Sequence, residues 1–391
     1  MNKLIVKILL LILPFGLSAQ TIESVLSEIE RNNTTLLAYQ NLNKAQKLEN
    51  KTGIYFENPE AEFHYLWGDP SAIGNRKDFT ISQSFDFPTA YGIKKKIANA
   101  KNEQSDLEFQ LQRKSILYKA KTMCNELIYL NALNNVLQKR AADAANIAKA
   151  YASKFNQGEV NILEKNKAQF NLLNARKELE ANETERKVLV SELTSLNGGN
   201  PISFNQSSYA LLQLPVSFES WYTEYESKNI VLQQAAGEIG ISEKQIKLSK
   251  AMSLPKISGG YMSEAVEGEA FRGVSVGISI PLWENKNTVK LATARQQVAL
   301  QVVNDKKIKT YNQLKGQYEK AVSLQKTLVS YRQELQAVNS SELLKKALEA
   351  GELSLIEYLM ELTLYYETTD KFLSIENELN QLATGLYFFE L

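Results

Sequence analysis

Two segments of the chain carry glutamates at the same spacing. NQGEVNILE occupies residues 156–164 and EAGELSLIE occupies residues 349–357, and each segment ends on a glutamate, Glu164 or Glu357. In both segments an Asn or Ser stands three residues before that final glutamate, as in the capping boxes that begin helices. The repetition therefore predicts two equivalent helix starts within one chain.

Other chemically reactive side chains are scarce. His64 is the single histidine and Cys124 the single cysteine, which excludes a His-dependent catalytic triad, a His-rich metal site and an internal disulfide. Glu62 lies two residues before His64, but no partner motif accompanies this pair. The sequence contains no phosphate-binding loop, nucleophile motif or metal cluster. We therefore expect a protein without enzyme activity, catalytic residues, metal or cofactor.

Residues 1–19 have the pattern of a cleaved secretory signal peptide. Lys3 and Lys7 form a basic start, Ile8–Leu17 is apolar, and Leu17-Ser18-Ala19 is a small-residue cleavage site. The remaining chain has no run of 18 or more apolar residues, which excludes a transmembrane helix but leaves membrane-spanning β-strands open. The net charge of +1 predicts no nucleic-acid partner.

The mature chain has the pattern of a duplication. Matching residues recur at an offset of 196 and later at 193, which places a three-residue length change between Pro59 and Pro88. A consistent frame over about 170 residues indicates two copies. We assign residues 20–200 to the first copy, 201–216 to a connector and 217–391 to the second copy. The matched pairs are Glu23-Ser24 with Glu219-Ser220, Asn33 with Asn229, Pro59 with Pro255, Pro88 with Pro281, and Gly158 with Gly351.

Each copy predicts the same order of elements: a helix, two short strands, a long helix and a returning helix. Each long helical pattern covers 70 residues, which is about 100 Å at 1.5 Å per residue. Helices of this length should pack side by side as coiled coils. The predicted helices span residues 22–52, Pro88–Gly158 and on to Leu196 in the first copy, and residues 218–251, Pro281–Gly351 and on to Tyr387 in the second.

The predicted strands alternate apolar with small polar residues, which indicates a sheet with one apolar face. In a soluble sandwich that face would be the core, whereas in a membrane barrel it would meet lipid and the polar face would line a watery lumen. Four strands are too few to close a barrel, and three copies would supply twelve. The residues expected on the barrel-facing apolar side are Phe63, Tyr65, Trp67, Phe79, Ile81, Val274, Val276, Ile278 and Ile280.

Several segments resemble the TolC outer-membrane efflux family. ISQSFDFPTAYGIKKK (residues 81–96) and VGISIPLWENKNTVKLATA (residues 276–294) are similar to its strand-to-helix junctions, and the Gly-Glu hairpin turns at residues 155–159 and 348–352 add to the resemblance. The family fold is mainly α with membrane β. It implies duplicated long helical hairpins in a coiled-coil tunnel, and four strands per chain in a trimeric twelve-stranded barrel. Similarity to the heavy-metal efflux branch rests on ENPEAEFHY (residues 57–65) and LPKISGGY (residues 254–261).

Each repeated segment predicts the tip of an αα-hairpin. Gly158 and Gly351 stand where a helix should end in a left-handed residue, because glycine adopts that conformation without strain. A polar residue then caps the returning helix, and a glutamate completes the capping box. The predicted cap and box residues are Asn161 with Glu164 and Ser354 with Glu357.

The family resemblance implies functions for these tips. They would dock a periplasmic adaptor protein, and Glu164 and Glu357 would constrict the tunnel entrance, where six carboxylates from three chains attract cations. Capping alone is the alternative for both glutamates. A gate latched by Tyr, Arg and Asp is not expected, because the matching positions hold Leu348, Leu353 and Met360. The expected docking residues are Gln157, Gly158, Glu159, Asn161, Ala350, Gly351, Glu352 and Ser354.

The leading hypothesis from the sequence is a passive homotrimeric channel in the outer membrane, with its helical part in the periplasm. It would contact outer-membrane lipid, a periplasmic adaptor and an inner-membrane transporter of the RND or ABC type. One alternative is an exported coiled-coil structural or adhesion protein with a small soluble β domain. Another is the duct of a type I protein secretion system. The sequence does not identify the exported substrate.

Overall fold

The computed structural model describes residues 20–337 and 340–391, so the expected signal peptide lies outside the described residues. The chain forms two compact units, and each unit takes segments from both copies of the repeat. The helical unit comprises the described parts of residues 1–33, 117–213 and 321–385, and the sheet unit comprises residues 34–116, 214–320 and 386–391.

Long α-helices account for most of the described residues, and none of these helices carries an apolar stretch of the length that a membrane crossing requires. The helices are α1 (Ile22–Asn32), α2 (Thr34–Glu49), α3 (Pro88–Asn156), α4 (Ile162–Leu196), α5 (Phe218–Lys228), α6 (Ile230–Ala251), α7 (Thr288–Ala337), α8 (Ser340–Glu349) and α9 (Leu355–Leu386). The strands are β1 (Glu60–Leu66), β2 (Arg76–Phe85), β3 (Lys256–Val266) and β4 (Glu269–Ser279).

The helical stretches predicted over residues 22–52 and 218–251 are present, but each is divided into two helices at an asparagine and the first ends at Glu49. Asn33 and Asn229 both have extended backbone angles, which interrupt the helical hydrogen-bond ladder. The Asn229 side chain accepts a hydrogen bond from the Leu232 N–H at 3.1 Å and so caps α6. The Asn33 side chain donates to the Leu196 carbonyl at 2.7 Å. Asparagine favours such caps over helix interiors because its amide competes for backbone groups.

The long helices of the two copies begin differently. Helix α3 begins on Pro88, as predicted, because proline suits the first helical position. The prediction of a helix from Pro281 was wrong, because residues 281–287 form irregular turns and α7 begins at Thr288. Asn287 has a φ of 67°, a left-handed conformation that a right-handed helix cannot include. The returning helices end at Leu196 and Leu386, close to the predicted ends.

The four strands form one antiparallel sheet in the order β1-β2-β3-β4. Strands β2 and β3 pair across the repeat boundary, which leaves β1 and β4 at the edges. The first pair of strands is joined by residues 67–75, whereas the second is joined by a tight turn at Glu267 and Gly268, with φ values of 48° and 93°. The second connection is thus shorter by more than the predicted three residues, and the longer strands β3 and β4, of 11 residues each against 7 and 10 in β1 and β2, make up most of the difference.

A buried carboxylate fixes the sheet to helix α3. Asp86 lies directly after β2, is 6% exposed, and pairs with Lys94 of α3 at 2.8 Å. The backbone N–H of Asp86 donates to the Tyr91 hydroxyl at 2.9 Å. The Phe56 ring packs edge-on against the rings of Phe85 and Tyr91. Because a buried charge needs such partners, the ends of the strands and the start of α3 are held together.

Helix α3 lies between α4 and α9 in the helical unit, and buried amides join it to both. The Asn134 side chain donates to the side-chain oxygen of Asn182 in α4 at 3.0 Å. The Asn125 side chain donates to the Thr384 hydroxyl of α9 at 2.9 Å. Buried polar pairs of this kind are satisfied in one alignment of the helices, so they favour a single register.

Candidate functional site

The first hairpin tip joins α3 to α4 through a glycine in the left-handed conformation. Gly158 has a φ of 77°, and a Cβ added there would have open space around it. The Glu159 N–H donates to the Lys154 carbonyl at 2.9 Å, and the Gly158 N–H donates to the Phe155 carbonyl at 3.0 Å. These two bonds form a Schellman motif, which satisfies the last carbonyls of α3.

A reciprocal capping box begins α4. The Glu164 N–H donates to the Asn161 side-chain oxygen at 3.0 Å, and the Asn161 N–H donates to the Glu164 carboxylate at 3.1 Å. Two N–H groups that the helix itself cannot pair are thereby satisfied. The predicted cap and its glutamate are confirmed at the first tip.

The second tip repeats this geometry between α8 and α9. Gly351 has a φ of 76°, and the Glu352 N–H donates to the Ala347 carbonyl at 2.9 Å. The Glu357 N–H donates to the Ser354 hydroxyl at 3.3 Å, and the Ser354 N–H donates to the Glu357 carboxylate at 2.9 Å. The bond from the Ser354 N–H lowers the pKa of Glu357, because it stabilises the charged carboxylate. The predicted left-handed glycine, N-cap residue and capping box are confirmed at both tips.

The residues that sequence analysis expected to dock an adaptor all lie on exposed surface at the two tips. Their docking role stays a prediction, because the structure contains a single chain. The exposed residues are Gln157, Gly158, Glu159 and Asn161 at the first tip, and Ala350, Gly351, Glu352 and Ser354 at the second.

An apolar cluster packs the two hairpins against each other close to the tips. Its buried members include Tyr151 of α3, Ala168 of α4, and Leu355 and Tyr358 of α9. Burial raises the pKa of Tyr358 to about 12. Leu348, which stands where the family resemblance implies a gate residue, packs against the same cluster. Apolar contact therefore holds this part of the second hairpin.

A partly buried ion pair, which sequence analysis missed, joins α3 to α9. The guanidinium of Arg140 pairs with the carboxylate of Asp370, and the Arg140 side chain is 7% exposed. The guanidinium also stacks 4.2 Å from the centre of the Tyr366 ring and donates to the Tyr366 carbonyl at 3.3 Å. The two partners are 230 residues apart in sequence, so no local spacing signals the pair.

One face of the sheet is apolar and exposed, as the alternation predicted. Phe63 of β1 pairs with Phe79 of β2, Phe79 pairs with Ser263 of β3, and Ser263 pairs with Arg272 of β4. Paired residues point to the same side of a sheet, so these four share a face. On the same face, Val274 is 84% exposed and Val276 is 80% exposed. Trp67 and Ile280 continue the alternation one residue beyond β1 and β4. The other exposed apolar members of this face are Tyr65, Ile81, Ile257, Tyr261 and Ile278.

The opposite face of the sheet is mainly polar, and the apolar residues on it include Leu66, Met262 and Phe271. Arg76 of β2 pairs with Asp78 at 2.8 Å and with Glu264 of β3 at 3.1 Å. The strand residues on this face also include Glu60, Glu62, His64, Thr80, Ser82, Ser258, Glu269 and Ser275. The sheet thus separates an apolar surface from a polar one, while the edges of β1 and β4 have no strand partner in the described chain.

Solved structures share this architecture. The Campylobacter jejuni CmeC outer membrane channel has a TM-score of 0.76 at 15% identity, over 94% of this chain and 85% of that chain. The outer-membrane channel OprN has a TM-score of 0.78 at 13% identity, over 94% and 89%. The open-state Neisseria gonorrhoeae MtrE outer membrane channel has a TM-score of 0.71 at 13% identity, over 94% and 88%. The chain has the outer-membrane channel fold.

The TolC-like fold expected from the sequence is therefore confirmed. The expected fold class is confirmed too: long helical hairpins joined to a four-stranded antiparallel sheet, as in the outer-membrane channel fold. No protein-family model and no curated protein sequence matches the chain. At 13 to 15% identity the likeness to the three channels concerns the fold.

Proposed function

We propose that three copies of this chain form a passive channel through the outer membrane for export of substrates from the periplasm. The observation that carries the proposal is the sheet, which has two open edges and an exposed apolar face. In lipid, each unpaired backbone group at a sheet edge costs several kcal/mol, so membrane sheets close into barrels. Pairing β1 of one copy with β4 of the next closes twelve strands from three copies.

The two faces of the sheet suit such a barrel. The apolar face carries Phe63, Val274 and Val276 and would meet lipid, while the face with Glu62, Arg76 and Ser275 would line a watery lumen. An exported structural protein with a small soluble β domain would instead bury the apolar face. Its exposure therefore favours the channel.

We infer that the hairpin tips dock a periplasmic adaptor, which connects the channel to an inner-membrane transporter. The exposed tip residues support this inference, because backbone turns rigidly fixed by Schellman motifs and capping boxes offer a preformed surface. Both tips present the same Gly-Glu turn, so each chain would provide two similar docking points. Substrate would then pass from the pump into the channel, and the chain would perform no chemical step.

Glu164 and Glu357 are proposed to line the entrance of the channel. Each carboxylate is already hydrogen-bonded within its own capping box and needs no partner from another chain to hold its position. Six such carboxylates in one ring would favour cations over anions. Helix capping alone accounts for the presence of both glutamates in the single chain. Ion selectivity of the channel is therefore the property that distinguishes a residue that only caps a helix from one that also lines the entrance.

The first experiment measures assembly and conductance of the purified mature chain. We expect a detergent-dependent trimer that conducts ions after reconstitution into planar bilayers. A monomer that stays soluble without detergent and never conducts would overturn the channel proposal in favour of a soluble exported protein.

A second experiment tests the entrance. Glu357→Gln should reduce the cation-to-anion permeability ratio of the reconstituted channel, because it removes three charges from the ring. Glu352→Gln is the matched control, since Glu352 is an exposed glutamate of the same tip outside the capping box. Unchanged selectivity in Glu357→Gln would leave Glu357 as a helix cap without a role at the entrance.

A further inference from the structure

The charged residues of the sheet are divided between its two faces. Register and alternation place every acidic residue of the four strands on the polar face: Glu60, Glu62, Asp78, Glu264 and Glu269. The apolar face carries no acidic strand residue, but it carries two cations, Lys77 of β2 and Arg272 of β4. Cations on a face that is otherwise uncharged and mainly apolar need an explanation.

Both cations lie toward the same end of the sheet, where β1 joins β2 and β3 joins β4. Lys77 is opposite Tyr65, and its ammonium lies 5.8 Å from the centre of the Tyr65 ring. Arg272 lies three residues into β4, whereas Val274, Val276 and Ile278 continue the same face toward the other end. The cations and an aromatic ring therefore form one border of the apolar surface.

Arg76, the neighbouring arginine on the polar face, has acidic partners, whereas Lys77 and Arg272 have none within the described residues. Arg76 is paired with Asp78 and Glu264 through short contacts. Within the described residues, neither Lys77 nor Arg272 forms an ion pair with an acidic side chain, and both side chains are exposed. Their counter-charge must come from outside the chain, and the apolar surface beside them is a lipid-facing one if the proposed function holds.

Membrane energetics place these cations at the level of the headgroups. A lysine or arginine on the lipid face of a barrel is strongly unfavourable at the bilayer midplane but costs little near the interface. The chain from Arg272 to Ile280 covers about 26 Å at about 3.3 Å per residue, or about 20 Å across a bilayer after a tilt of about 40°. That span is close to the apolar band of about 25 Å in such barrels.

We propose that Lys77 and Arg272 bind the phosphate groups of lipid headgroups in the leaflet at the strand-connecting end of the sheet. This inference rests on the proposed function, because it requires the apolar face to lie in a membrane. Arginine binds phosphate through two parallel N–H donors and lysine binds it as a point charge. The Cα atoms of Lys77 and Arg272 are two strand spacings apart across the sheet and two residues apart along the strands, which gives about 12 Å. A headgroup with two phosphates, or two adjacent lipids, can therefore engage both cations.

The test compares lipid binding by the full mature protein in detergent and by two variants. The probe is lipid A, a glycolipid with two phosphates, and its dephosphorylated form is the chemical control; bound lipid is counted by native mass spectrometry. We expect the double variant Lys77→Gln/Arg272→Gln to bind lipid A at least tenfold more weakly, which corresponds to about 1.4 kcal/mol. Arg76→Gln, a change of the adjacent residue on the polar face, should bind like the original protein.

Three results would overturn the proposal: equal binding of phosphorylated and dephosphorylated lipid, equal loss of binding in Arg76→Gln, or full competition by millimolar inorganic phosphate, which would indicate a simple anion site. The failure of this inference is distinguishable from failure of the proposed function. An unmodified protein that conducts ions but binds no lipid A refutes the lipid site alone, whereas a protein that never enters bilayers refutes the channel.

Discussion

The two hairpin tips share their backbone geometry but differ in what surrounds them. Each has a left-handed glycine, a Schellman motif and a capping box. The first residue of the returning helix is Leu355 at the second tip, 1% exposed, and Ile162 at the first tip, 48% exposed. One turn further along, the second tip has the buried Tyr358, whereas the first has Lys165.

This difference shows that a local motif and its packing can diverge separately after duplication. The turn depends on hydrogen bonds between residues three to five apart, so any sequence that keeps the glycine and the cap keeps the turn. The packing depends on side chains from several helices. The second hairpin is therefore anchored at its tip by apolar burial, and the first is anchored mainly by Ala168 and residues further from its turn.

The strongest test of this contrast is a matched pair of truncations at the first helical position. Leu355→Ala should lower the free energy of unfolding by about 2–5 kcal/mol, because it leaves a cavity in the apolar cluster. Ile162→Ala should cost less than about 1 kcal/mol, because the side chain is half exposed. Denaturant unfolding in detergent measures both. Equal losses would contradict the claim that the second tip alone is anchored there.

A second prediction concerns the ion pair that ties α9 to α3. Asp370→Asn should destabilise the protein by about 2 kcal/mol, because the buried Arg140 guanidinium loses its counter-charge; the partial exposure of Asp370 keeps the effect below that of a fully buried pair. Replacing both residues, as in Arg140→Met/Asp370→Leu, should recover most of this loss. Thermal unfolding of the single and double variants is the measurement, and a double variant as unstable as the single one would refute the explanation.

A third prediction concerns the N-cap residues, whose removal should have the same effect at both tips. Asn161→Ala and Ser354→Ala should each cost about 1 kcal/mol, since each removes the acceptor for one helix N–H. Hydrogen exchange at the starts of α4 and α9 reports the local effect. A cost several times larger at one tip would mean that its cap also supports tertiary packing.

The smallest predicted effect is a pH dependence at the second tip. The pKa of Glu357 lies below its ordinary value of about 4.5 because the folded chain donates hydrogen bonds to the carboxylate. Its contribution is therefore present above about pH 4.5 and is lost as the pH falls through the lowered pKa. Glu357→Gln should remove this part of the acid dependence. The measurement is the change in unfolding midpoint between about pH 6 and pH 3 in the original protein and in Glu357→Gln. An equal change in the two proteins would contradict this prediction.

Local features of the fold were predictable from the sequence, because they depend on neighbouring residues. Gly158, Asn161 and Glu164 encode a turn and a cap within seven positions, and the alternation around Val274 and Val276 encodes an apolar sheet face. The same reasoning failed where the signal was weak or distant. Asn229 interrupts an otherwise helical pattern with a single residue, and the burial of Leu355 depends on helices whose packing no local pattern specifies.

The pairing of β2 with β3 has a consequence for the order of events during synthesis. Phe85 pairs with Ile257, so the chain of the whole first helical hairpin and the connector lies between them. Closing so long a loop costs entropy before any strand contact repays it, and distant pairings of this kind slow folding. A nascent chain that has completed only its first copy has half a sheet and no partner for β2. The apolar face can therefore be completed only after the first helical hairpin and the connector have been synthesised, but before the second hairpin has been.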